Sequence, residues 1–416
     1  MNAFTYKDGW LYAESVCVEG LAEQYGTPLY VYSRAHLERQ YRSLAAALRP
    51  VKPLICFSVK VNTNAAVVRA LGRLGAGADV VSGGELFRAR RAGVPSSRIV
   101  FAGVGKTVEE IDYALRQNIL FFTVESEPEL ARIAERARAL RRTARVALRI
   151  NPDVDPQTHR YISTGKKENK FGLDVKRIVR AYRQAAALPG IEIAGLHMHI
   201  GSQILSPEPF ARALRKVEQL CRQLRSEYPT FRYIDIGGGL GIQYGRHQQA
   251  LDPARFARAV LPFLKRIGLR VVLEPGRYLA GNAGILVTRV QYVKDGPSKK
   301  FIVVDAGMND LIRPPLYQAY HEILPVHRTA RTVFGDVVGP ICESADFMAA
   351  DRKLPRAKAG DLLAVGGAGA YAFSMSSNYN SRCRAAEVMV SGRRAALVRT
   401  RETWADLVRG EKQPRW

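Results

Sequence analysis

The sequence predicts an α/β-plus-β protein, in which a (β/α)8 barrel of the TIM type is joined to a second, mostly antiparallel β-domain. The chain has 416 residues, which is more than a single hydrophobic core usually serves. Short apolar runs alternate with longer amphipathic stretches from about residue 28 to residue 275. After residue 276 the sequence becomes rich in Val, Thr and Gly, with stretches of period two.

The barrel is predicted by how often the alternation recurs. It begins with PLICFSV, NAAVVRALGRL, ADVVS and GELFRARRAG, and it ends with VVLEPG. Strand and helix units that repeat about eight times predict a parallel sheet closed into a barrel over residues 28–275. An open, doubly wound sheet is the structural alternative.

The second domain is predicted from stretches such as ILVTRVQYVKD, KKFIVVDAG and AAEVMVSG, which are typical of antiparallel strands. The N-terminal TYKDGWLYAESV carries a short hairpin signal. We therefore assign residues 1–27 and 276–416 to this β-domain.

Composition excludes several classes of protein. The sequence has no apolar run of the roughly 18 residues that a membrane helix needs, and MNAFTYKDGW lacks the basic flank and apolar core of a signal peptide. The five cysteines are odd in number and lack paired spacing, which argues against a disulfide framework and against a zinc site. We expect a soluble, cytoplasmic protein with reduced thiols.

The formal charge of +25 is unusual for an enzyme that acts on small molecules, because a positive electrostatic field of this size favours the binding of polyanions. Many of the arginines fall in predicted helices such as LARIAERARALRRTARVALRI, where a solvated face is the simpler interpretation. No nucleic-acid motif accompanies them. We expect no specific nucleic-acid partner and no membrane partner, only weak, salt-sensitive binding to polyanions.

Lys60 lies in CFSVKVNTN, where an apolar strand ends and the chain turns toward a helix. A lysine held among apolar neighbours has a lowered pKa, and only the unprotonated amine can capture a cofactor aldehyde. An ordinary surface lysine at a strand end is the alternative.

Two histidines, His197 and His199, alternate in the predicted strand of GLHMHIGSQ and would face the barrel interior together. Metal binding is one interpretation, but the sequence offers no matching set of further ligands. His197 alone is equally well explained as a core histidine.

Glycines and a carboxylate follow two later strands. Gly237, Gly238 and Gly239 come after RYIDI, where backbone amides could approach a phosphate closely, although a tight turn needs glycine equally often. Glu274 comes after LRVVL and precedes PGR. A carboxylate there can stabilise a cationic group inside the barrel, and a salt bridge at the barrel rim is the alternative.

These strings, with GPICESADF around Cys342 and GAGAYAFSMSSNYNSR around Tyr371, resemble in order and spacing the fold type III pyridoxal phosphate decarboxylases, which have an alanine racemase-like barrel. Within that group the chain is similar to the diaminopimelate decarboxylase family. The resemblance extends from FTYKDGWLYAESV to RTRETWADLVRGE, nearly the whole chain. It implies pyridoxal 5'-phosphate as cofactor and, as activity, the decarboxylation of meso-2,6-diaminopimelate to L-lysine and CO2, the last step of lysine biosynthesis.

The resemblance also implies how the cofactor is held. Lys60 binds its aldehyde, His199 stacks on its ring, and Glu274 pairs with its ring nitrogen. Tyr371 closes over the phosphate from the second domain. The expected cofactor contacts are Lys60, His199, Ser202, Gly237, Gly238, Gly239, Glu274, Pro275, Gly276, Arg277 and Tyr371.

The substrate carries an amino-acid group at each end, so the distal end needs a cation and a carboxylate together. The resemblance places Arg313 and Tyr317 of LIRPPLY and Glu343 of CESAD at that end. The expected substrate-binding residues are Arg277, Arg313, Tyr317, Glu343 and Tyr371.

Cys342 is implied as the proton donor that follows loss of CO2, beside Lys60, His199 and Glu274 as the other catalytic residues. In the resembled family this cysteine and the adjacent Glu343 reach the site of the neighbouring subunit, which implies a homodimer with shared active sites. A buried structural thiol is the alternative for Cys342.

Two positions depart from the family strings. Val61 follows the lysine where a small residue is usual, and Ala372 replaces a glycine after the tyrosine of GAY. Because of these two changes, the sequence leaves the size of the cofactor pocket undecided.

Two other functions also stay open. A related decarboxylase of ornithine, arginine or a carboxylated polyamine would share the fold, but those that act on ornithine usually have a Cys-Asp-Gly string and lack the arginine of RPPLY. A non-catalytic pyridoxal phosphate-binding regulatory protein would have no chemical need for Lys60, Glu274 and Cys342 together.

Overall fold

The computed structural model describes residues 3–155, 172–245 and 248–416. Its strands are, in chain order, β1 (Phe4–Lys7), β2 (Trp10–Ala13), β3 (Val16–Cys17), β4 (Leu29–Ser33), β5 (Leu54–Ser58), β6 (Gly77–Val80), β7 (Ile99–Phe101), β8 (Phe121–Val124), β9 (Ala144–Asn151), β10 (Leu173–Asp174), β11 (Ile191–Met198), β12 (Tyr233–Asp235), β13 (Arg270–Leu273), β14 (Gly284–Asp295), β15 (Lys300–Val304), β16 (Ile323–Pro325), β17 (Thr332–Val338), β18 (Phe347–Pro355), β19 (Leu362–Val365), β20 (Ala386–Ser391) and β21 (Arg394–Arg399). Its α-helices are α1 (Val18–Tyr25), α2 (Arg34–Ala47), α3 (Ala65–Gly72), α4 (Gly83–Arg91), α5 (Val108–Gln117), α6 (Glu127–Ala139), α7 (Val175–Ala187), α8 (Glu208–Glu227), α9 (Pro253–Ile267), α10 (Arg277–Ala280), α11 (Arg313–Tyr317) and α12 (Trp404–Leu407).

The chain folds into two compact units. The barrel unit consists of Glu38–Ile242 and Gln249–Leu279. The β unit consists of Met1–Leu37, Gln243–Gln248 and Ala280–Trp416. The predicted boundaries at residues 28 and 275 stay a prediction.

The barrel unit is built on a closed parallel sheet. Its strands run in the order β5, β6, β7, β8, β9, β11, β12, β13, and β13 pairs with β5 to close the ring. The (β/α)8 barrel is therefore confirmed, and the open doubly wound sheet is wrong. Buried side chains from several strands, among them Phe121, Ala147 and Val272, pack together as a core. The barrel is thus a filled core with its polar groups collected at one end.

Polar caps turn the chain from strand to helix at that end. The Ser82 side chain accepts from the Glu85 amide at the start of α4, and Thr107 and Glu110 form a reciprocal capping box at the start of α5. Because the caps follow the carboxyl ends of parallel strands, the side chains at these ends meet at one edge of the barrel.

The β unit is mostly antiparallel, as predicted. Its main sheet has the order β18, β17, β15, β14, β4, β20, β21, and only the β15–β17 and β4–β20 pairs of this path are parallel. The predicted N-terminal hairpin is β1–β2, and its turn has positive φ at both Asp8 and Gly9, which suits a type I′ turn. Residues of β4, β14 and β20, including Val31, Val287 and Val388, form its core.

No helix of the described residues is both long enough and apolar enough to cross a membrane.

Candidate active site

Lys60 lies where the sequence predicted, in a 3-10 turn (Val59–Val61) directly after β5. Val59 and Val61 on either side are buried. The side chain of Lys60 is 38% exposed, and its Nζ lies 3.0 Å from Oδ2 of the fully buried Asp79 on β6. The apolar neighbours that the sequence predicted are present, and the amine is also paired with a carboxylate.

Asp79 is a site residue that the sequence analysis missed. Burial raises the pKa of its carboxyl, as does the charge of Glu274, while Lys60 and a hydrogen bond from Ser58 act to lower it. The hydroxyl of Ser58 donates to the same oxygen that contacts Lys60. The available signal was an aspartate within the apolar string GADVV, since a buried charge needs a partner.

Glu274 follows β13 and is buried against His197 of β11. The Nε2 atom of His197 lies 3.2 Å from Oε2 of Glu274. Burial by itself would raise the pKa of Glu274, but the charge and hydrogen bond of His197 outweigh it and lower the pKa to about 2. Glu274 is therefore ionised. His197 is a buried histidine, as one of its two interpretations expected. It also contacts the carboxylate of Glu274 and so belongs to the site.

The other oxygen of this carboxylate, Oε1, is buried and has no hydrogen-bonding partner among the described residues. A buried carboxylate oxygen without a donor is costly unless a ligand supplies one. The carboxyl of Asp235, whose side chain is hydrogen-bonded to Glu274 and whose pKa is raised, can supply such a donor from within the protein.

A metal site was expected to lack further ligands near the histidines, and that expectation is wrong. Ligand atoms of His197, Asp235 and Glu274 all lie within 4.8 Å of one another. Burial and the charge of Glu274 raise the pKa of Asp235 well above its usual range, which reflects how closely these groups are clustered.

His199 contacts the glycine loop. The strand β11 ends at Met198, and the Nδ1 atom of His199 accepts the amide of Gly238 at 3.1 Å. Burial lowers the pKa of His199 well below its usual range, and the charges of Arg149 and Lys60 act in the same direction. The imidazole is therefore neutral, with its proton on Nε2, because Nδ1 is the acceptor.

The three glycines do not offer all their amides to a ligand, as the sequence analysis expected. The amide of Gly237 donates to Asp235 Oδ1 at 2.9 Å, and that of Gly238 is used by His199. A side chain at Gly238 or Gly239 would clash with a neighbouring backbone carbonyl, and both Gly237 and Gly239 have positive φ. The loop therefore needs glycine mainly for close packing.

Arg277 begins α10 after Pro275 and Gly276, and its Nη2 donates to Ser202 Oγ at 3.1 Å. The guanidinium is buried, so the barrel holds a cation beside a hydroxyl close to the glycine loop. Gly276 passes so close to Val61 that any side chain there would clash with it. The branched Val61 is thus accommodated by packing against this glycine.

In the β unit, Arg313 begins α11 and is buried, and Tyr317 ends the same short helix. Tyr371 has φ +56°, a left-handed conformation that is uncommon outside glycine and often marks a functional position. The next residue, Ala372, has φ −108°, so its backbone does not require the glycine of the family string.

Cys342 and Glu343 are both exposed in the loop between β17 and β18. The amide of Cys342 donates to Asn380 Oδ1 at 2.9 Å, which fixes the backbone beneath the thiol. The alternative of a buried structural thiol is therefore wrong for Cys342, whereas Cys56 and Cys221 are buried.

The chain is similar to known proteins over nearly its whole length. The family described as "Pyridoxal-dependent decarboxylase, pyridoxal binding domain" matches residues 34–281. A diaminopimelate decarboxylase of Pseudomonas aeruginosa is 49% identical over 412 residues, covering 99% of each chain. The chain belongs to the diaminopimelate decarboxylase family.

Two further members of this family support the assignment. The diaminopimelate decarboxylase of Aquifex aeolicus is 48% identical and covers 97% of this chain, and 96% of its own length is matched. The crystal structure of the Helicobacter pylori diaminopimelate decarboxylase complexed with L-lysine is 40% identical, with a TM-score of 0.90 over 94% of this chain and 98% of that one.

The residues of the barrel unit fit pyridoxal phosphate. The buried, ionised carboxylate of Glu274 suits a protonated ring nitrogen. Arg277 and Ser202 supply a cation and a hydroxyl for a phosphate, and Lys60 supplies the amine.

Proposed function

We propose that this chain decarboxylates meso-2,6-diaminopimelate to L-lysine and CO2 in the cytoplasm, as the last step of lysine biosynthesis. The observation that carries the proposal is the ionised, buried carboxylate of Glu274, held by Nε2 of His197 at 3.2 Å. Full-length similarity to diaminopimelate decarboxylases supports the choice of substrate.

Lys60 holds the cofactor and Asp79 holds the amine of Lys60. Held by these residues, pyridoxal phosphate would supply an electron sink for the pair left when the bond from Cα to the carboxylate breaks. Glu274 keeps the ring nitrogen protonated because its own pKa is low, and His197 keeps Glu274 ionised.

The phosphate is bound by Arg277, Ser202 and the amide of Gly239, at the turn formed by Pro275 and Gly276. His199 is neutral and buried, which suits a ring that stacks on the cofactor without adding charge. Tyr371 covers the phosphate, and its left-handed backbone supports a position set by function.

The distal amino-acid end of the substrate is bound by Arg313, Tyr317 and Glu343, with Arg277 and Tyr371 as further contacts. A guanidinium recognises a carboxylate through paired hydrogen bonds, and Glu343 offers the negative charge for the distal ammonium.

The active enzyme is a homodimer in which Cys342 and Glu343 serve the site of the partner subunit. Cys342 donates the proton that replaces the lost carboxylate on Cα. The exposure of both side chains supports this, because a proton donor for another subunit must be accessible on its own chain.

The rival function is a decarboxylase of ornithine, arginine or a carboxylated polyamine. A buried arginine in RPPLY favours a substrate with a distal carboxylate, which ornithine and arginine lack. CO2 release from meso-diaminopimelate, ornithine and arginine, measured side by side, decides between them. The proposal predicts release from meso-diaminopimelate, and preference for either of the other two would contradict it.

A further inference from the structure

Two neighbours fix the plane of the buried guanidinium of Arg313, which is 5% exposed. Its Nη1 lies 2.9 Å from Nε2 of His321, and its Cζ lies 4.7 Å from the ring centre of Tyr244. The first contact is made at the edge of the guanidinium and the second on its face. Together they restrict both rotation and tilt of the group.

The protonation state of His321 follows from its two hydrogen bonds. A guanidinium only donates, so Nε2 of His321 must accept and the ring proton must lie on Nδ1. Nδ1 lies 2.7 Å from the carbonyl oxygen of Gly366, to which it donates. The amide of Gly366 in turn donates to the carbonyl of Glu322 at 2.8 Å, so the backbone sets the tautomer of a neutral, fully buried histidine.

Tyr244 is held against the same histidine. Its ring meets His321 edge to face, with centroids 5.3 Å apart and planes at 71°. Gly367, with φ +68°, borders this ring so closely that a Cβ would come within 3.0 Å of two ring carbons. A side chain at position 367 would therefore displace the face on which Arg313 rests.

We propose that His321, together with Tyr244, is a positioning residue that sets substrate specificity by aiming Arg313 at the distal carboxylate. This rests on the proposed function. Paired capture of a carboxylate requires both N–H groups of the fork in one plane, and a guanidinium held in advance loses less entropy on binding. A neutral imidazole and an aromatic face orient the cation without neutralising its charge.

Two substitutions of His321 separate its two hydrogen bonds. The amide of His321→Asn reaches about as far as Nδ1, so it can keep the contact with Gly366 but cannot reach Arg313. The amide of His321→Gln reaches about as far as Nε2, so its oxygen can still accept from Arg313. We expect His321→Asn to raise KM for meso-diaminopimelate about ten- to hundredfold with kcat little changed, as loss of a charge-assisted hydrogen bond would, and His321→Gln to raise it much less.

Ligands without the distal carboxylate serve as controls. D-lysine presents the same reacting end as meso-diaminopimelate, and its turnover should be unaffected in both variants. Binding gives a second readout, because L-lysine retains the distal carboxylate whereas 1,5-diaminopentane does not. Inhibition by L-lysine should weaken in His321→Asn by a factor similar to that for KM, and inhibition by 1,5-diaminopentane should stay the same.

Equal losses for ligands with and without the carboxylate would show that His321 is merely structural and would overturn the inference. Equal behaviour of the Asn and Gln variants, or no effect of either, would overturn it as well. A wild-type enzyme that releases no CO2 from meso-diaminopimelate would instead contradict the proposed function, and the wild-type measurement alone reveals that failure.

Discussion

Inside the barrel, Nε2 of His197 lies 3.2 Å from Oε2 of Glu274, and this contact offsets the burial of the carboxylate. Without it, burial would favour a protonated Glu274 that could not stabilise a positive ring nitrogen. Through this pair, a histidine of β11 keeps the carboxylate that follows β13 in its charged form.

The charge of Glu274 is testable with an isosteric substitution. Glu274→Gln keeps the shape and can still contact His197, but it removes the negative charge beside the ring nitrogen. We expect kcat to fall about 100- to 1000-fold, in line with the loss of one electrostatic stabiliser in a buried site. Steady-state CO2 release measures the loss, and Glu218→Gln, which alters a surface carboxylate paired with Arg266, is the matched control.

The role of His197 appears in the pH profile. The pKa of Glu274 is about 2 when His197 is present, so this group adds no acidic limb at ordinary assay pH. In His197→Leu the histidine no longer offsets the effect of burial on Glu274. The pKa of Glu274 should therefore rise above the usual value of a glutamate. Because the ionised form is the active one, kcat/KM should then fall as the pH is lowered through that raised pKa. A variant profile with the same acidic limb as the wild type would contradict this role.

Shared active sites predict complementation between two inactive dimers. Mixing Lys60→Ala with Cys342→Ala should restore activity, because a hybrid dimer has one site with both defects and one with neither. Random exchange should recover roughly a quarter of the wild-type activity, since half the dimers are hybrids with one intact site. Each variant incubated alone is the control. If subunits exchange without any recovery, Lys60 and Cys342 serve the same chain.

Arg313→Ala tests recognition of the distal carboxylate. Loss of a charge-assisted, paired contact from a desolvated site costs about 2 to 5 kcal/mol. That corresponds to a fall in kcat/KM for meso-diaminopimelate of about thirtyfold to several-thousandfold. Turnover of D-lysine, which lacks the carboxylate, should hardly change. Equal loss of both activities would mean that the arginine is structural.

The barrel and the location of its site could be predicted from sequence because both depend on local patterns. Alternating strands and helices define the closed sheet, and Lys60 and Glu274 follow strands whose carboxyl ends must meet. For His197 the sequence leaves two interpretations open, because the partner of this buried histidine follows a different strand and a local pattern does not reveal it.

The remaining features depend on tertiary contacts that a sequence pattern does not encode. Asp79 pairs with Lys60 across neighbouring strands, and its presence in an apolar string was the only local sign. The amides of Gly237 and Gly238 are used by Asp235 and His199, which depends on how the loop after β12 packs. A glycine-rich string predicts close approach of a backbone, but not which group approaches it.

The attachment of the cofactor to Lys60 is the central claim, and borohydride reduction followed by peptide mass spectrometry tests it most directly. The purified protein should be yellow, and reduction should fix a pyridoxyl group to the peptide containing CFSVKVNTN, at Lys60. Lys60→Ala should take up no reducible cofactor, whereas Lys106→Ala, which alters another lysine of the barrel unit, should take it up normally. A reduced adduct on a different lysine of the wild-type protein, or none on a protein that turns over meso-diaminopimelate, would contradict the account.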